Sequence, residues 1–239
     1  MSIYKRIVLK ISGESLAGDK SSILDISILN NYAKVIKQLV DDGVQISIVV
    51  GAGNIWRGKI AENMGMDRAT GDYMGMLGTI MNALAIQNIL EQHDIETRVM
   101  TSLPIDAVAE PYIRRKANHH LDKGYVVIFG GGTGNPFFST DTAAALRGSE
   151  IGAEAILMAK NGVDGVFSAD PKKYKDAILY DKITHFDVVT KQLKVMDTTA
   201  VTLCMENNID IVVFNMSDPN NLIRVMNGEK IGTIIRKEF

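Results

Sequence analysis

The sequence predicts an α/β fold, a parallel sheet carrying helices on both faces. Three observations carry that reading. Short apolar runs rich in β-branched residues alternate with stretches of helical periodicity through about residue 160, the pattern of repeated βα units. Glycine-rich turns close several of those runs, as they do at the ligand-binding end of an open α/β sheet. The chain has 239 residues, 46% of them apolar, enough for one large domain with a sizeable core.

Residues 6–11, Arg-Ile-Val-Leu-Lys-Ile, read as a short buried strand closed by Ser12-Gly13. Lys10 is its odd member, either an edge lysine with its head in water or a ligand contact. A helix over about 28–42 gathers Leu29, Ala33, Ile36, Leu39 and Val40 on one face, with Gly43 as its stop. Residues 44–50 form the second strand. It ends in Gly51-Ala-Gly53-Asn54-Ile-Trp-Arg57-Gly58, a second glycine turn with a cation beside it. Arg57 is a solvated loop arginine or a phosphate contact; the repeated pattern favours phosphate, whose oxygens suit a planar guanidinium.

From Asp72 to Glu91 the chain is helical and crowded with Met and small residues, suited to a buried or subunit-contacting helix. Asp72, at or near its start, is a cap or an acceptor for sugar hydroxyls. Strand 96–101, helix 111–123 and strand 125–129 follow. Gly130, Gly131, Gly132 and Gly134 then lead through Asn135-Pro-Phe-Phe138 to Ser139, Thr140 and Asp141, which open an alanine-rich helix over 140–152. Strand, glycine turn and helix N-terminus together aim free N–H groups and a positive dipole end at one spot, where an anion binds. No Gly-Lys-Ser/Thr follows, so this is not a P-loop, and the spacing is not Gly-x-Gly-x-x-Gly. Residues 155–159 make a fifth strand. Beyond Lys160, turn residues crowd around short apolar pairs over 161–171, which suggests a hairpin. A helix over 197–208, a strand over 209–214, a short helix over 220–227 and a strand over 232–236 complete a single domain, 1–239, with a lobe boundary near 160.

Composition narrows the function. A net charge of −2 argues against a nucleic-acid binder working through a basic face. The single cysteine, Cys204, excludes an internal disulfide and suits a reducing cytosol. No apolar run is long enough to span a bilayer, and the first residues enter a strand without a signal-like segment. A soluble cytoplasmic protein is expected. The four histidines lack metal-ligand spacing, so no protein metal site is expected. Three glycine turns with Lys10 and Arg57 beside them can hold several phosphates, which makes phosphoryl transfer the leading chemistry. A phosphate acceptor is already ionised and needs no general base; the work is positioning and charge neutralisation.

Five runs resemble the bacterial uridylate kinases of the amino acid kinase superfamily: Lys10-Ile-Ser-Gly-Glu14, Gly51 to Gly58, Gly71-Asp-Tyr-Met-Gly-Met-Leu77, Gly132-Thr-Gly-Asn-Pro-Phe-Phe-Ser-Thr-Asp141 and Val163-Asp-Gly-Val-Phe-Ser-Ala-Asp-Pro171. The likeness runs the full length, in order. The first and last runs are shared with sibling kinases acting on carboxylates and carbamate; the third and fourth are more specific to UMP. The resemblance implies a three-layer α/β/α sandwich around a mainly parallel sheet, and a homohexamer. It implies ATP + UMP → ADP + UDP with Mg²⁺ bound with ATP, in pyrimidine nucleotide synthesis, with UTP as feedback inhibitor. By position it gives ATP to Lys10, Ile11, Ser12, Gly13, Gly53 and Arg57, with Asn161, Phe167 and Asp170 around the adenosine. It gives UMP to Ala52, Asp72, Thr133, Gly134, Asn135, Pro136, Phe137, Phe138, Ser139 and Thr140, Asp72 meeting the ribose. Lys10 and Arg57 stabilise the moving phosphoryl group, and Asp141 and Asp197 orient the lysine or metal. On this reading the phosphates and UMP belong to 1–160 and the rest of ATP to 161–239.

The chain departs from the family pattern twice. Ala52 stands where many members have glycine, a small change expected to preserve function. Ser21-Ser-Ile23 stands where GTP-activated members carry Gly-Phe-Gly, so GTP activation is not expected. Two other readings remain in view. An acidic amino acid kinase would need cations for an α-carboxylate, which the Asn-Pro-Phe-Phe segment does not offer. A non-catalytic nucleotide sensor should have lost Lys10 or Arg57, and both are present.

Overall fold

A computed structural model describes residues 2–18, 22–171 and 173–239. Of the Ser21-Ser-Ile23 step, Ser21 lies outside the described residues.

The strands are β1 (Arg6–Ile11), β2 (Gln45–Val50), β3 (Thr97–Thr101), β4 (Glu110–Pro111), β5 (Val126–Gly130), β6 (Ala155–Lys160), β7 (Val166–Phe167), β8 (Leu179–Tyr180), β9 (Lys182–Thr184), β10 (Asp210–Asn215) and β11 (Thr233–Arg236). Nine form one sheet in the order β4-β3-β5-β2-β1-β6-β10-β11-β9. From β4 to β10 every neighbour pair is parallel. β11 turns back antiparallel to β10, and β9 runs parallel to β11. β7 and β8 pair antiparallel as a separate ribbon, wider than the hairpin read over 161–171, since β7 finds its partner at Leu179–Tyr180. The sheet is continuous across residue 160, because β10 pairs with β6.

The helices are α1 (Ile26–Asp41), α2 (Gly58–Asn63), α3 (Arg68–Gln92), α4 (Arg114–Asp122), α5 (Thr140–Ile151), α6 (His185–Thr190), α7 (Thr198–Glu206) and α8 (Asn220–Met226). The two-residue alternation of the central strands divides the core. Ile7, Leu9 and Ile11 face a cluster with Ile36 and Leu39 of α1, Ile86 and Leu90 of α3 and Leu222 of α8. Val8 and Val49 face the opposite cluster with Leu121 of α4, Ala144 of α5, Val188 of α6 and Cys204 of α7. That gives three layers, as expected of strands buried on both faces. Burial pushes the Cys204 thiol up to about 12, so it is an inert core residue.

Three boundaries differ most from the sequence reading. The helix read over 111–123 starts at Arg114, because Glu110 and Pro111 pair with Met100 and Thr101 as β4. α1 starts at Ile26 because Asp25 caps it, its Oδ1 accepting from Ser27 N at 2.8 Å and Ile28 N at 3.3 Å. α3 starts at Arg68, so Asp72 stands in its second turn and is not its cap. Asp67 is the cap, accepting from Ala69 N at 2.9 Å. Gly71 falls inside the helix for a packing reason: a Cβ there would lie 2.8 Å from the Ala61 Cβ of α2.

His185 opens α6 with 1% of its surface exposed, its Nε2 3.1 Å from the Ile209 carbonyl. Burial holds the imidazole below its ordinary value of 6.5. Above that value both folded and unfolded chains are neutral here. Below it the unfolded chain gains the proton first, so stability falls as pH falls. The urea midpoint should drop more between about pH 7 and pH 5.5 in the native chain than in His185→Gln; parallel profiles would take His185 out of the acid response.

Candidate active site

Parallel strands end on the same side, so the carboxyl ends of β5, β2, β1 and β6 form one edge, in that order across the sheet. Each opens into a segment singled out by sequence. Residues 12–16 leave β1 through a short 3₁₀ turn, Gly13–Leu16, capped by Ser12. Residues 51–58 leave β2, 131–139 leave β5, and 161–170 leave β6.

Lys10 is the last but one residue of β1. Its Nζ meets Asp141 Oδ1 at 2.8 Å, with the side chains 15% and 20% exposed. That oxygen is buried and has no well-aligned hydrogen bond, so the contact is an ion pair rather than a directed bond. Asp141 stands in the first turn of α5, whose cap Ser139 accepts from Asp141 N at 3.0 Å and Thr142 N at 3.1 Å. A carboxylate at that helix end is favoured by the dipole. Asp197 does not meet Lys10. It caps α7, accepting from Ala200 N at 2.9 Å, and also accepts from the Ser139 and Thr142 hydroxyls. It therefore ties α7 to the mouth of α5.

Lys160, the last residue of β6, escaped the sequence reading. Its Nζ donates to the Val195 carbonyl at 2.6 Å. Burial lowers its pKa, against a rise from Asp141 and with a further lowering from Lys10. It thus belongs to the same charge cluster. The signal was available, since Lys160 ends an apolar run much as Lys10 nearly ends the first.

The Gly13 and 51–58 turns are in close contact. Gly51 N donates to the Ile11 carbonyl at 2.9 Å. Arg57 lies out in solvent, its Nη2 3.0 Å from Glu14 Oε1 and its Nε donating to the Gly53 carbonyl at 3.0 Å. An exposed pair of this kind is worth about 0–1 kcal/mol, so a phosphate can take Glu14's place at little cost. Ala52 is buried, and a Cβ at Gly78 of α3 would come within 2.9 Å of its methyl. Gly78 therefore leaves the room that the Ala52 departure needs.

The third segment is held open from below. Gly131, Gly132, Gly134 and Phe137 all have positive φ. Gly131 N donates to Thr79 Oγ1 at 2.8 Å, and Ser102 Oγ donates to the Gly132 carbonyl at 2.8 Å. Ser102 is itself held by buried Arg147, which pairs with Glu150 at 2.6 Å. The Thr133 hydroxyl accepts from Asn135 N at 3.2 Å. Asp72 Oδ2 accepts from Phe137 N at 2.7 Å, and Arg68 lies 5.2 Å from the Phe137 ring centre. Asp72 is thus joined to the 131–139 segment from 65 residues away. Phe137 and Phe138 are exposed, while Pro136 and Thr140 are half-buried. Sequence reasoning did not find Thr79, Ser102 or Arg147, which support the segment from other elements.

Asn161 is exposed at the end of β6 and Phe167 is half-buried in β7. The Asp170 carbonyl accepts from Lys173 N and Tyr174 N. Gly162 N donates to Asn215 Oδ1 at 3.1 Å, tying this loop to the end of β10.

Glycine turns, a helix N-terminus and the cations Lys10, Lys160 and Arg57 on one sheet edge define an anion-binding α/β protein built to hold phosphates. The amino acid kinase family model matches residues 5–215. The chain is 56% identical to the uridylate kinase of Pediococcus pentosaceus over 235 residues, 98% of each chain. It is 56% identical to that of Limosilactobacillus reuteri over 232 residues, 97% of each. The crystal structure of UMP kinase from Bacillus anthracis superposes with a TM-score of 0.96 at 46% identity, covering 99% of this chain and 97% of that one. The chain belongs to the amino acid kinase family, on its uridylate kinase branch. No helix among the described residues is long and apolar enough to cross a membrane.

Proposed function

We propose that this chain is a UMP kinase, transferring the γ-phosphoryl group of ATP to UMP to give ADP and UDP in pyrimidine nucleotide synthesis. The observation that carries this is the Lys10–Asp141 pair, set among the glycine turns on the same edge as the 131–139 segment. The 56% identity to uridylate kinases over nearly the whole chain supports the choice of acceptor.

The UMP phosphate attacks the γ-phosphorus in line, and ADP leaves from the opposite side. Lys10, held by Asp141, stabilises the charge on the moving phosphoryl group, and Arg57 exchanges Glu14 for phosphate oxygens. Ile11, Ser12, Gly13 and Gly53 line the donor phosphates, with Asn161, Phe167 and Asp170 around the adenosine. Ala52, Asp72 and residues 133–140 hold UMP, Asp72 meeting the ribose. Asp197 acts by fixing Ser139 and Thr142 at the mouth of α5. On this division residues 1–160 of the single domain bind the acceptor and phosphates, and 161–239 complete the donor site.

The residues fit a Mg²⁺ that arrives on the nucleotide. Among the described residues no group of three or more His, Cys, Asp or Glu could hold a metal, while Asp141 at the edge, its Oδ1 already paired with Lys10, is the carboxylate that such an ion would share. One carboxylate with phosphate oxygens and water is an ordinary magnesium set. Bound with ATP, Mg²⁺ would supply neutralisation of the phosphate charge.

The α3 helix presents Tyr73, Met74, Leu77 and Met81 to solvent. An apolar face of that kind supports a subunit contact within a cytoplasmic homohexamer; a monomer by light scattering would remove it. UTP, which shares the uridine of UMP, is the proposed feedback inhibitor.

A coupled ADP-release assay with Mg·ATP and, separately, UMP, CMP, dTMP and N-acetylglutamate tests the reading. Turnover with UMP alone, depressed by added UTP, is expected. Turnover with the amino acid instead would keep the donor site and overturn the acceptor assignment. No turnover despite ATP binding would point to a nucleotide sensor.

A further inference from the structure

Asn82 of α3 is fully buried, an unusual position for a primary amide. Its Nδ2 donates to Asn54 Oδ1 at 2.8 Å and to the Gly51 carbonyl at 2.8 Å. Its Oδ1 accepts from Asn54 Nδ2 at 3.0 Å, and Asn54 Nδ2 donates its other hydrogen to the Ile23 carbonyl at 2.7 Å. Both N–H bonds and the oxygen of each amide are therefore engaged. The two outer acceptors are backbone carbonyls, which fixes the orientation of both amides, since a flipped amide would set oxygen against oxygen. A buried polar network satisfied this completely specifies one arrangement, while a half-satisfied one is costly.

The pair sits between the two phosphate-facing turns. It grips the 51–54 turn by the Gly51 carbonyl on one side, and the Asn54 amide lies hard against Gly13 on the other. A Cβ at Gly13 would fall 2.4 Å from Asn54 Oδ1. An apolar residue at position 82 would fill the space as well as an asparagine, so packing alone does not account for the amide.

We propose that Asn82 is a positioning residue for phosphate binding: through Asn54 it holds the 51–54 turn against Gly13 and so sets the spacing of the two turns that receive the donor phosphates. The proposal rests on the donor-site half of the function above and is independent of which acceptor is used. Asn82 touches no reacting group and acts through Asn54 and Gly51.

The test is calorimetric binding of Mg·ATP without acceptor, followed by steady-state kinetics, on the full chain and on Asn82→Leu, which keeps the branched shape and heavy-atom count of the side chain. Asn54→Ala, at a half-buried loop position, is the second variant should Asn82→Leu not fold. Weakening of Mg·ATP binding by about tenfold is expected, with a matching rise in KM for ATP and a smaller rise in KM for UMP, whose assigned contact in this turn is Ala52 alone. The double variant should be no worse than the weaker single, because both break one network. Native ATP affinity in a folded variant, or equal losses for donor and acceptor, would overturn the proposal. Turnover of a different acceptor by the native chain would sink the UMP reading without touching this one.

Discussion

Replacing Lys10 with methionine is expected to lower turnover about 10²- to 10³-fold while nucleotide still binds, the usual cost of removing one donor aimed at transition-state charge. Methionine keeps most of the aliphatic stem and removes the ammonium. Two effects are entangled, because the lysine also neutralises Asp141 at a contact only 15% and 20% exposed. Breaking such a pair by removing one partner costs up to about 3 kcal/mol, and leaves a carboxylate without its cation. The added variant Asp141→Asn separates them. In the double variant Lys10→Met/Asp141→Asn the stranded charge is gone, so the urea midpoint should recover while turnover stays low. If turnover recovers along with stability, Lys10 is structural, and the charge on the moving phosphoryl group is met by Lys160 and Arg57 instead. Folded Lys10→Met with native turnover would remove Lys10 from the mechanism altogether.

How far the sequence showed this site depends on which side of it is considered. The central strands were legible because each is a full buried run; the structure gives β1 the 6–11 bounds read from sequence. The turns were legible because glycine clusters and their cations are local. The short elements were not: α2, β4, β9 and α6 have two to six residues, too few to display a period. The start of α3 is not legible, because the reason for Gly71 inside it lies in Ala61 of another helix. The supports were hidden for the same reason. Thr79, Asn82, Ser102 and Arg147 act across separations of 28 to 52 residues, and nothing local marks a threonine or an asparagine as a strut.

Gly13→Ala should be the most damaging single-methyl change at the site. The added Cβ would meet Asn54 Oδ1 at 2.4 Å, Gly53 N at 2.6 Å and the Gly51 carbonyl at 2.7 Å. Two of these are backbone atoms, and the third is locked in the amide pair, so no flexible side-chain end can move aside. The β1 and β2 turns must separate. Overpacking of this kind costs about 1–3 kcal/mol, but the kinetic effect should be larger than the stability loss suggests. A displacement of about 1 Å in groups that position a reaction can cost about 10²-fold in rate. Gly58→Ala is the control. It lies at the far end of the same loop, where a Cβ would meet nothing within 4 Å, and as the first residue of α2 it should tolerate alanine within about 1 kcal/mol. The contrast is read by turnover, the KM for Mg·ATP and the urea midpoint in both variants. Near-native turnover in folded Gly13→Ala would mean that the site adapts to the spacing of its turns. The rate would then rest on the cations, and the fixed geometry of the turns would serve the fold rather than the chemistry.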